Sequence, residues 1–416
     1  MRHVPPQQGA TDLPVLTRAL SGERMLESFT RFLPPHSGDR WVRCEVERVS
    51  FKPGKSSRVL YRLWKEGEPP DSGRPHYFYC EFLPATRSLR RYLDLKERKR
   101  AMPPTGFVAE LDMVYWKFPA DPRLVQLEGV WREGAWRTVA YTPTMSCVLA
   151  GKYGKEPTIV KLYHDDRVER VAHVMSVLRQ AGVAAPRVLQ VDSARRLVVL
   201  EHVPGISFWS DPPAHLQRKV MTAMAGQLAT LHDTRLDAAT AATLEPMRFG
   251  EREWSRFGEA CGELGATFPE LQPRLERLSR MLAEALREPE ATLLHGDFHP
   301  AQFLVEQGVP RLIDFDNVCL GDPMYDLGRF ASHLYYKGAV HARPLPEIEA
   351  AVSAFRAGYI AAGTRFDPNR WFWHLAVSLV AKRAHRVMTR LESEAATSVA
   401  RLVTIAEQNA ASIVLP

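Results

Sequence analysis

The segment TLLHGDFHPAQFLVEQGVPRLIDFDN, residues 292–317, decides the fold of this chain. Three short apolar runs, at 292–294, 303–305 and 311–313, alternate with two clusters of polar residues. Apolar runs of this length, bounded by turn residues, are typical of short buried strands. The pattern predicts strands whose ends carry the polar groups.

The polar clusters hold acidic and amide side chains in a spacing that suits magnesium-dependent phosphoryl transfer. Asp297 is followed five positions later by Gln302, and Asp314 ends the last strand, with Asp316 two residues further on. In such a reaction one carboxylate accepts the proton of the attacking hydroxyl, and a second carboxylate and an amide oxygen hold the metal. The simpler interpretation is that Asp297 and Asp314 are ordinary turn residues, which are common at strand ends.

A second patterned stretch, CLGDPMYDLGRFASHLYY, follows at residues 319–336 and makes the simpler interpretation hard to hold. HGDFHPAQ, IDFDN and GDPMYDLGRF, in this order, resemble the signature of the aminoglycoside phosphotransferase and choline kinase-like family. The resemblance covers residues 135–416. It implies the two-lobed fold that this family shares with the protein kinases.

The sequence before the signature contains a pattern that occurs twice. VSFKPGKSSRVLYRL (49–63) aligns with VAYTPTMSCVLAGKY (139–153) when one residue is skipped, and YCEFL (79–83) aligns with IVKLY (159–163). This repeat predicts an internal duplication of a small antiparallel sheet. Two unrelated β-hairpins are the alternative.

The predicted fold class is therefore α+β, a two-lobed protein kinase-like fold with an extra N-terminal β-rich domain. Residues 1–130 form the N-terminal α+β extension, which resembles a degenerate duplicate of the N-lobe. Residues 131–203 form the kinase-like N-lobe, which binds nucleotide. Residues 204–416 form a mainly helical C-lobe with the catalytic and substrate sites.

Only the second copy of the repeat places a lysine, Lys161, on an otherwise apolar strand. A buried lysine is costly unless it is paired. The family resemblance implies that Lys161 binds the nucleotide phosphates and is steadied by Glu169 of the next helix. A plain first-turn acid is the other interpretation of Glu169. The resemblance also makes 142–146 the phosphate-covering turn and assigns the adenine contacts to the backbone of Glu201, His202 and Val203.

Other residues of the signature are expected to support the catalytic loop. On the resemblance His295, Asp322 and Asp326 brace the loop. Gly296 permits backbone angles that a side chain resists. Gln302 stands where the family usually has Asn, and it offers the same amide oxygen on a longer stem.

Substrate contacts are expected further along the C-lobe. The family builds them in a loop that corresponds to residues 245–264. The aromatic stretch around Trp371, Trp373 and His374 predicts a helix on the C-lobe, with core packing as its main role and substrate contact as the alternative.

The resemblance implies a small-molecule kinase that uses ATP and Mg²⁺. Asp297 is the base, Gln302 and Asp314 hold the metal, and Asp316 is an accessory acid. The alternative is a pseudokinase-like nucleotide-binding module with little turnover. The acceptor is expected to be neutral or modestly charged rather than polycationic, because few acids accompany the basic residues of the last helices: Lys382, Arg383, Arg386 and Arg390.

Composition narrows the class of protein. The hydrophobic content of 45% and charged content of 25% are ordinary for a globular protein. The net charge of +7 has a focus in the basic stretch 87–100, which is expected to be a solvated helix face, so no nucleic-acid partner is predicted. No apolar run is long enough for a membrane span and the N-terminus lacks a signal-peptide core, so a cytoplasmic protein is expected. The oligomeric state stays open.

Overall fold

The computed structural model divides the chain into two compact units. Unit 1 holds residues 1–169, 188–202 and 389–391, and unit 2 holds 170–187, 203–388 and 392–416. The residues that the structure describes are 13–33, 40–52, 54–69, 76–83, 87–98, 105–153, 156–208, 214–244, 251–285 and 292–414. Residues 1–12 and 34–39, and residues 245–250 of the predicted substrate-contact loop, lie outside the described residues. The rest of that predicted loop, 251–264, is helical, so the prediction of a loop is wrong there.

The first sheet of unit 1 is antiparallel and has the strand order β1-β2-β3-β5-β4. Its strands are rich in β-branched and aromatic residues, as expected for strands, and both faces of β2 are largely buried. A helix, α3 (Arg87–Glu97), follows the third strand. The strands are β1 (Trp41–Lys52), β2 (Ser56–Lys65), β3 (His76–Phe82), β4 (Thr105–Val108) and β5 (Met113–Lys117).

The second sheet of unit 1 has the order β6-β7-β8-β10-β9, which is the same arrangement of five consecutive strands. A helix again follows the third strand, namely α5 (Val168–Gln180). The shared strand order is what the predicted duplication requires, but it does not test common ancestry, and the duplication stays a prediction. The strands are β6 (Arg137–Thr142), β7 (Ser146–Tyr153), β8 (Glu156–Tyr163), β9 (Val188–Asp192) and β10 (Leu197–Glu201).

The two sheets share a hydrophobic core within unit 1. Leu60 and Tyr79 of the first sheet pack in one cluster with Leu149, Val160 and Leu162 of the second. A second cluster lies on the first sheet beneath α1 (Leu13–Ala19) and α2 (Gly22–Phe32), and α4 (Leu127–Arg132) belongs to the shared core. The predicted N-terminal extension thus lies in the same compact unit as the second sheet.

Unit 2 is mainly helical and contains two small sheets. One sheet has the order β11-β13-β14 and the other pairs β12 with β15. These strands are β11 (Ile206–Ser207), β12 (Thr292–Leu294), β13 (Phe303–Glu306), β14 (Val309–Leu312) and β15 (Cys319–Gly321). Strands β12 and β13 coincide with predicted runs, and β14 overlaps the third run but ends at Leu312, so Asp314 follows the strand rather than ending it. Strands β11 and β15 were not predicted.

The helices of unit 2 bury the aromatic residues of the C-terminal third. Trp371 is 1% exposed and Trp373 is 4% exposed, and the indole of Trp373 donates to the carbonyl of Leu282 at 2.9 Å, so both pack in the core. The helices are α6 (Ala214–Asp233), α7 (Ala238–Thr243), α8 (Glu251–Thr267), α9 (Gln272–Glu284), α10 (Pro323–Val340), α11 (Leu345–Ala361), α12 (Pro368–Ser378), a π-helix (Leu379–Ala384), α13 (His385–Arg390) and α14 (Ala395–Ala411). None of the helices within the described ranges is long and apolar enough to cross a membrane.

Candidate active site

The loop after β12 is fixed in place by one buried carboxylate. Asp326, in the first turn of α10, is fully buried, and its two oxygens accept hydrogen bonds from the backbone N–H groups of His295 (2.7 Å) and Gly296 (3.1 Å). His232 lies 3.4 Å from the same carboxylate. A buried carboxylate that accepts several N–H groups is well satisfied, so Asp326 holds the backbone on which Asp297 stands.

The loop also depends on the ring of His295 and on the absence of a side chain at Gly296. The buried His295 ring contacts the carbonyl oxygen of Ile313 through Nε2 at 3.1 Å. Gly296 has φ +77°, and a Cβ there would collide with the carbonyl oxygen of Asn317. This backbone conformation and this close approach both require glycine.

Asp297 forms an ion pair with Arg329 of α10 through its Oδ1 oxygen. Burial alone would raise the pKa of Asp297, but the attraction of Arg329, with smaller effects of His299 and His295, outweighs burial and lowers it. Asp297 is therefore an ionised carboxylate at neutral pH. That is the state required of a proton acceptor.

A neutral histidine lies beside the second oxygen of Asp297. His299 Nε2 is 3.7 Å from Asp297 Oδ2, and its ring stacks on that of His333 with the centroids 4.7 Å apart. Burial is the main cause that lowers the pKa of His299 to about 3, even though Asp297 acts in the opposite direction. His299 is thus uncharged near pH 7, and Arg329 is the main positive charge at Asp297.

The two predicted metal ligands of the next cluster lie together. The Gln302 amide is 3.0 Å from Asp314 Oδ2, across two segments that are twelve residues apart. Asp314 adopts a left-handed backbone conformation with φ 68°. This conformation is uncommon for residues other than glycine, and such residues occur often at functional sites. Asp316 lies two residues on in a 3₁₀ turn and is 8% exposed.

The donor set at Gln302 and Asp314 fits a magnesium ion that is completed by a substrate. Within the described ranges, no three His, Cys, Asp or Glu side chains form a group that could hold a metal alone. Mg²⁺ is commonly bound by one or two carboxylates together with substrate phosphates. The amide nitrogen of Gln302 donates to Asp314, so the pair agrees with that partial set of ligands when the amide turns its oxygen toward the ion.

The predicted nucleotide residues of unit 1 lie on the second sheet. Lys161, on β8, is 9% exposed, and its ammonium lies 5.6 Å from the centroid of the Tyr163 ring. Glu169 does not pair with Lys161 as expected. It is exposed in the first turn of α5, and its carboxylate accepts a hydrogen bond from Ser193, because that position points it toward the turn between β9 and β10.

The predicted adenine contacts occur where β10 ends. Glu201 is the last residue of β10 and pairs with Thr158 of β8, while His202 is exposed and Val203 is half-buried. The backbone leaves the sheet at this point. No sequence signal beyond the family resemblance assigns these residues to a nucleotide.

The turn at 142–146 is held by a residue that sequence reasoning missed. Asp121, which is 6% exposed, accepts hydrogen bonds from the backbone of Thr144 at 2.7 Å and from the hydroxyl of Tyr141 at 2.9 Å. It also accepts the backbone N–H groups of Arg123 and Leu124. The PADPRL sequence signals a turn but not its distant partners.

Asp322 starts α10 and joins it to α12. Its side chain accepts from the backbone N–H of Met324 at 2.9 Å, which makes it the N-cap. Its other oxygen lies 3.3 Å from Arg370 and 3.6 Å from His374. His374 therefore contacts an acid that braces the fold.

Residues 148–371 match the model of a family described as the phosphotransferase enzyme family. No curated protein matches the chain.

Similar solved structures include three antibiotic phosphotransferases. One is the spectinomycin phosphotransferase APH(9)-Ia in complex with ADP and spectinomycin, at 13% identity and a TM-score of 0.47, covering 66% of this chain and 92% of that chain. Another is APH(3'')-Id from Streptomyces rimosus, at 18% identity and a TM-score of 0.44, covering 61% and 96%. The third is an aminoglycoside-3'-phosphotransferase of type VIII, at 21% identity and a TM-score of 0.45, covering 62% and 97%.

The family match covers more than half of the chain and includes the whole signature from His295 to Phe330. The resemblance drawn from that signature, the enzyme class and the kinase-like α+β fold are thereby confirmed. This chain belongs to the phosphotransferase enzyme family.

Proposed function

We propose that this chain transfers the γ-phosphate of ATP to a hydroxyl group of a small molecule, with Asp297 as the base. The observation that carries the proposal is the ionised Asp297 on a loop that Asp326 and Gly296 fix. The neighbouring Gln302–Asp314 pair supports it. Phosphoryl transfer depends on positioning and on charge, and this loop supplies both.

Asp297 accepts the proton of the acceptor hydroxyl. Arg329 binds its Oδ1 oxygen, which leaves Oδ2 beside His299 as the oxygen for the acceptor. Arg329 also lowers the basicity of the carboxylate. Asp297 therefore orients the hydroxyl first and takes its proton late, as the bond to phosphorus forms.

Gln302 and Asp314 are the proposed magnesium ligands, with Asp316 as an accessory acid. Bound there, Mg²⁺ supplies positive charge that offsets the phosphates of the nucleotide. Gln302 would have to turn its amide so that the oxygen rather than the nitrogen faces the ion, and this rotation leaves the backbone unchanged. Lys161 is proposed for the phosphates, and the backbone of Glu201, His202 and Val203 for the adenine.

A regulatory nucleotide-binding module is the second candidate. The observation that favours it is the same ion pair, because an arginine bound to Asp297 competes with the acceptor for the carboxylate. In addition, Glu169 accepts a hydrogen bond from Ser193 and forms no ion pair with Lys161. If the protein is such a module, we expect it to bind nucleotide without catalysing phosphoryl transfer.

The test is nucleotide binding and turnover of the Asp297→Asn variant, with phosphate acceptors offered as a mixed panel. Removal of a general base costs about two to four orders of magnitude in rate, so turnover should be lost while ATP affinity stays nearly unchanged. Gln302→Asn is the matched control, because it keeps an amide and should keep activity. Near-normal turnover by Asp297→Asn would contradict the proposed base, and an inactive wild-type protein that binds ATP would favour the regulatory module.

The magnesium ligands are tested by the same assay. ATP affinity should rise with added Mg²⁺ in the wild-type protein, and Asp314→Ala should remove that rise. An unchanged magnesium response in Asp314→Ala would place the ion on other residues.

A further inference from the structure

Four positively charged side chains lie near one another on three elements of unit 2. Arg329 and Arg383 lie close to Asp297, and Lys382 lies close to Arg329 and to the exposed Arg256. They form the cationic cluster, defined here as Arg256 of α8, Arg329 of α10 and the neighbouring Lys382 and Arg383 of the π-helix. The π-helix packs against both α8 and α10. π-helical turns are rare and occur often at functional sites.

Arg383 is buried without a carboxylate partner among the described residues. It is 2% exposed, and its guanidinium donates to the hydroxyl of Ser332 at 3.0 Å and to the carbonyl of Arg329 at 3.1 Å. Both acceptors are neutral. Burial, followed by the repulsion of Arg329 and Arg386, lowers the pKa of Arg383 to about 9. A buried guanidinium whose charge is not compensated is costly.

Lys382 adds a second uncompensated charge. In the part of the chain that the structure describes, its ammonium makes no hydrogen bond or ion pair with a carboxylate. Burial, followed by the positive charges of Arg329 and Arg256, lowers the pKa of Lys382 to about 8. Both the burial of Lys382 and the like charges beside it therefore disfavour its protonated form.

Two carboxylates face the cluster and do not balance it. Asp297 is paired with Arg329, and Glu253 of α8 is 5% exposed. Burial raises the pKa of Glu253, although neighbouring cations oppose the rise. Among the described residues of this cluster, Arg329, Lys382 and Arg383 are buried or half-buried and outnumber these two carboxylates, which leaves an excess of positive charge there.

We propose that the acceptor carries an anionic group, a carboxylate or a phosphate monoester, which the cationic cluster binds while the hydroxyl of the acceptor meets Asp297. This inference rests on the proposed function, since it names the substrate class of that site. The anion supplies the missing counter-charge for Lys382 and Arg383. The planar guanidinium of Arg383 suits two parallel hydrogen bonds to such a group.

An anionic acceptor also explains the ion pair on Asp297. With an anion at the cluster, the attraction of Arg329 is divided between that anion and Asp297. Asp297 then regains basicity when the acceptor is in place. A polycationic acceptor would meet the opposite field, because the cluster repels it.

The first experiment compares acceptors that differ only in an acidic group. The pairs are glycerate with glycerol, gluconate with sorbitol, and glycerol 3-phosphate with glycerol. Each is given to the full chain with ATP and Mg²⁺, and ADP release is measured together with equilibrium binding of each compound. An acidic member should bind at least about 10-fold more tightly than its neutral partner, the effect of one charge-assisted hydrogen bond. The carboxylate and phosphate arms identify which anion the cluster accepts.

The second experiment assigns that preference to the cluster through Lys382→Met. Methionine keeps the length of the side chain and removes the charge, so the fold should be retained. Binding of the preferred acid should weaken about 10- to 100-fold, while ATP affinity stays within about twofold. Lys219→Met, at an exposed lysine of α6, is the control and should change neither.

The outcomes separate this inference from the proposed function. Acid-selective binding that Lys382→Met abolishes, without turnover of any compound, supports the anion site and contradicts the kinase. Turnover of neutral or cationic acceptors with no acid preference keeps the kinase and overturns the anion site. Equal loss of ATP affinity in Lys382→Met would assign the cluster to the nucleotide, and failure of every acidic compound to bind would also overturn the proposal.

Discussion

The two sheets of unit 1 have the same strand order, yet their third strands carry opposite charges at corresponding positions. Glu81 of β3 pairs in register with Arg58 of β2 and Val114 of β5. Lys161 of β8 pairs with Val148 of β7 and Val198 of β10. Glu81 of the first sheet therefore has a cation as one strand neighbour, whereas both strand neighbours of Lys161 in the second sheet are apolar.

The charge of the first sheet is neutralised within the sheet and its helix. The buried Glu81 carboxylate lies 3.0 Å from Arg58 and 3.2 Å from Arg91 of α3. A pair between the third strand and the following helix is what the family resemblance expects of Lys161 and Glu169, but here its polarity is reversed. In the second sheet that pair is not formed, and Lys161 lies over the ring of Tyr163.

This difference teaches that one strand order can serve two purposes. The Glu81 carboxylate is paired with two guanidinium groups, and removing one partner of a buried pair leaves a charge uncompensated. Lys161 carries a positive charge on the corresponding strand, and a positive charge attracts a nucleotide phosphate. We therefore expect the first sheet to be a structural support and the second to bind the nucleotide.

The largest effect is expected from Lys161→Met, measured by ATP titration. Loss of a charge-assisted hydrogen bond to phosphate should weaken ATP binding by about 10-fold or more. Glu81→Gln is the matched variant on the first sheet and should leave ATP affinity unchanged. The reverse result would move the nucleotide site to the first sheet and break the comparison.

A smaller effect is expected on stability from the same Glu81→Gln variant. The buried amide keeps hydrogen-bonding capacity but loses the attraction of Arg58 and Arg91, both partly exposed, so the cost should be about 1–2 kcal/mol of unfolding free energy. Thermal and urea unfolding measure this free energy, and Glu47→Gln, at an exposed position of β1, is the control. Equal stability of the two variants would show that the reversed pair does not hold the first sheet together.

The smallest effect is expected from Arg48→Ala. Arg48 of β1 donates to the hydroxyl of Thr142 at 2.9 Å, next to the turn 142–146, so the first sheet contacts the predicted phosphate-covering turn. A hydrogen bond to a neutral acceptor at a partly exposed position contributes about 0.5–1 kcal/mol, so its loss predicts an increase of about two- to fivefold in the KM for ATP. A KM that does not change would limit the first sheet to stability alone.

The sequence by itself determined the parts of the site that lie close together in the chain. Pattern and the family resemblance together selected Asp297, Gln302, Asp314 and Asp326, which are within thirty residues of one another. Short buried strands leave their ends little freedom, so residues this close in the chain stay close in space. The same locality explains why β12 and β13 were predicted almost to the residue, whereas β14 begins before the predicted run 311–313.

Only the tertiary structure decided which charges meet. Arg329 reaches Asp297 across 32 positions, and Arg383 reaches the carbonyl of Arg329 across 54. Asp121 holds Thr144 through a bond that no local pattern encodes. Such contacts depend on how the helices pack and on the direction in which the side chains of the π-helix project. Sequence periodicity gives the face of a helix but not the neighbour that this face will meet.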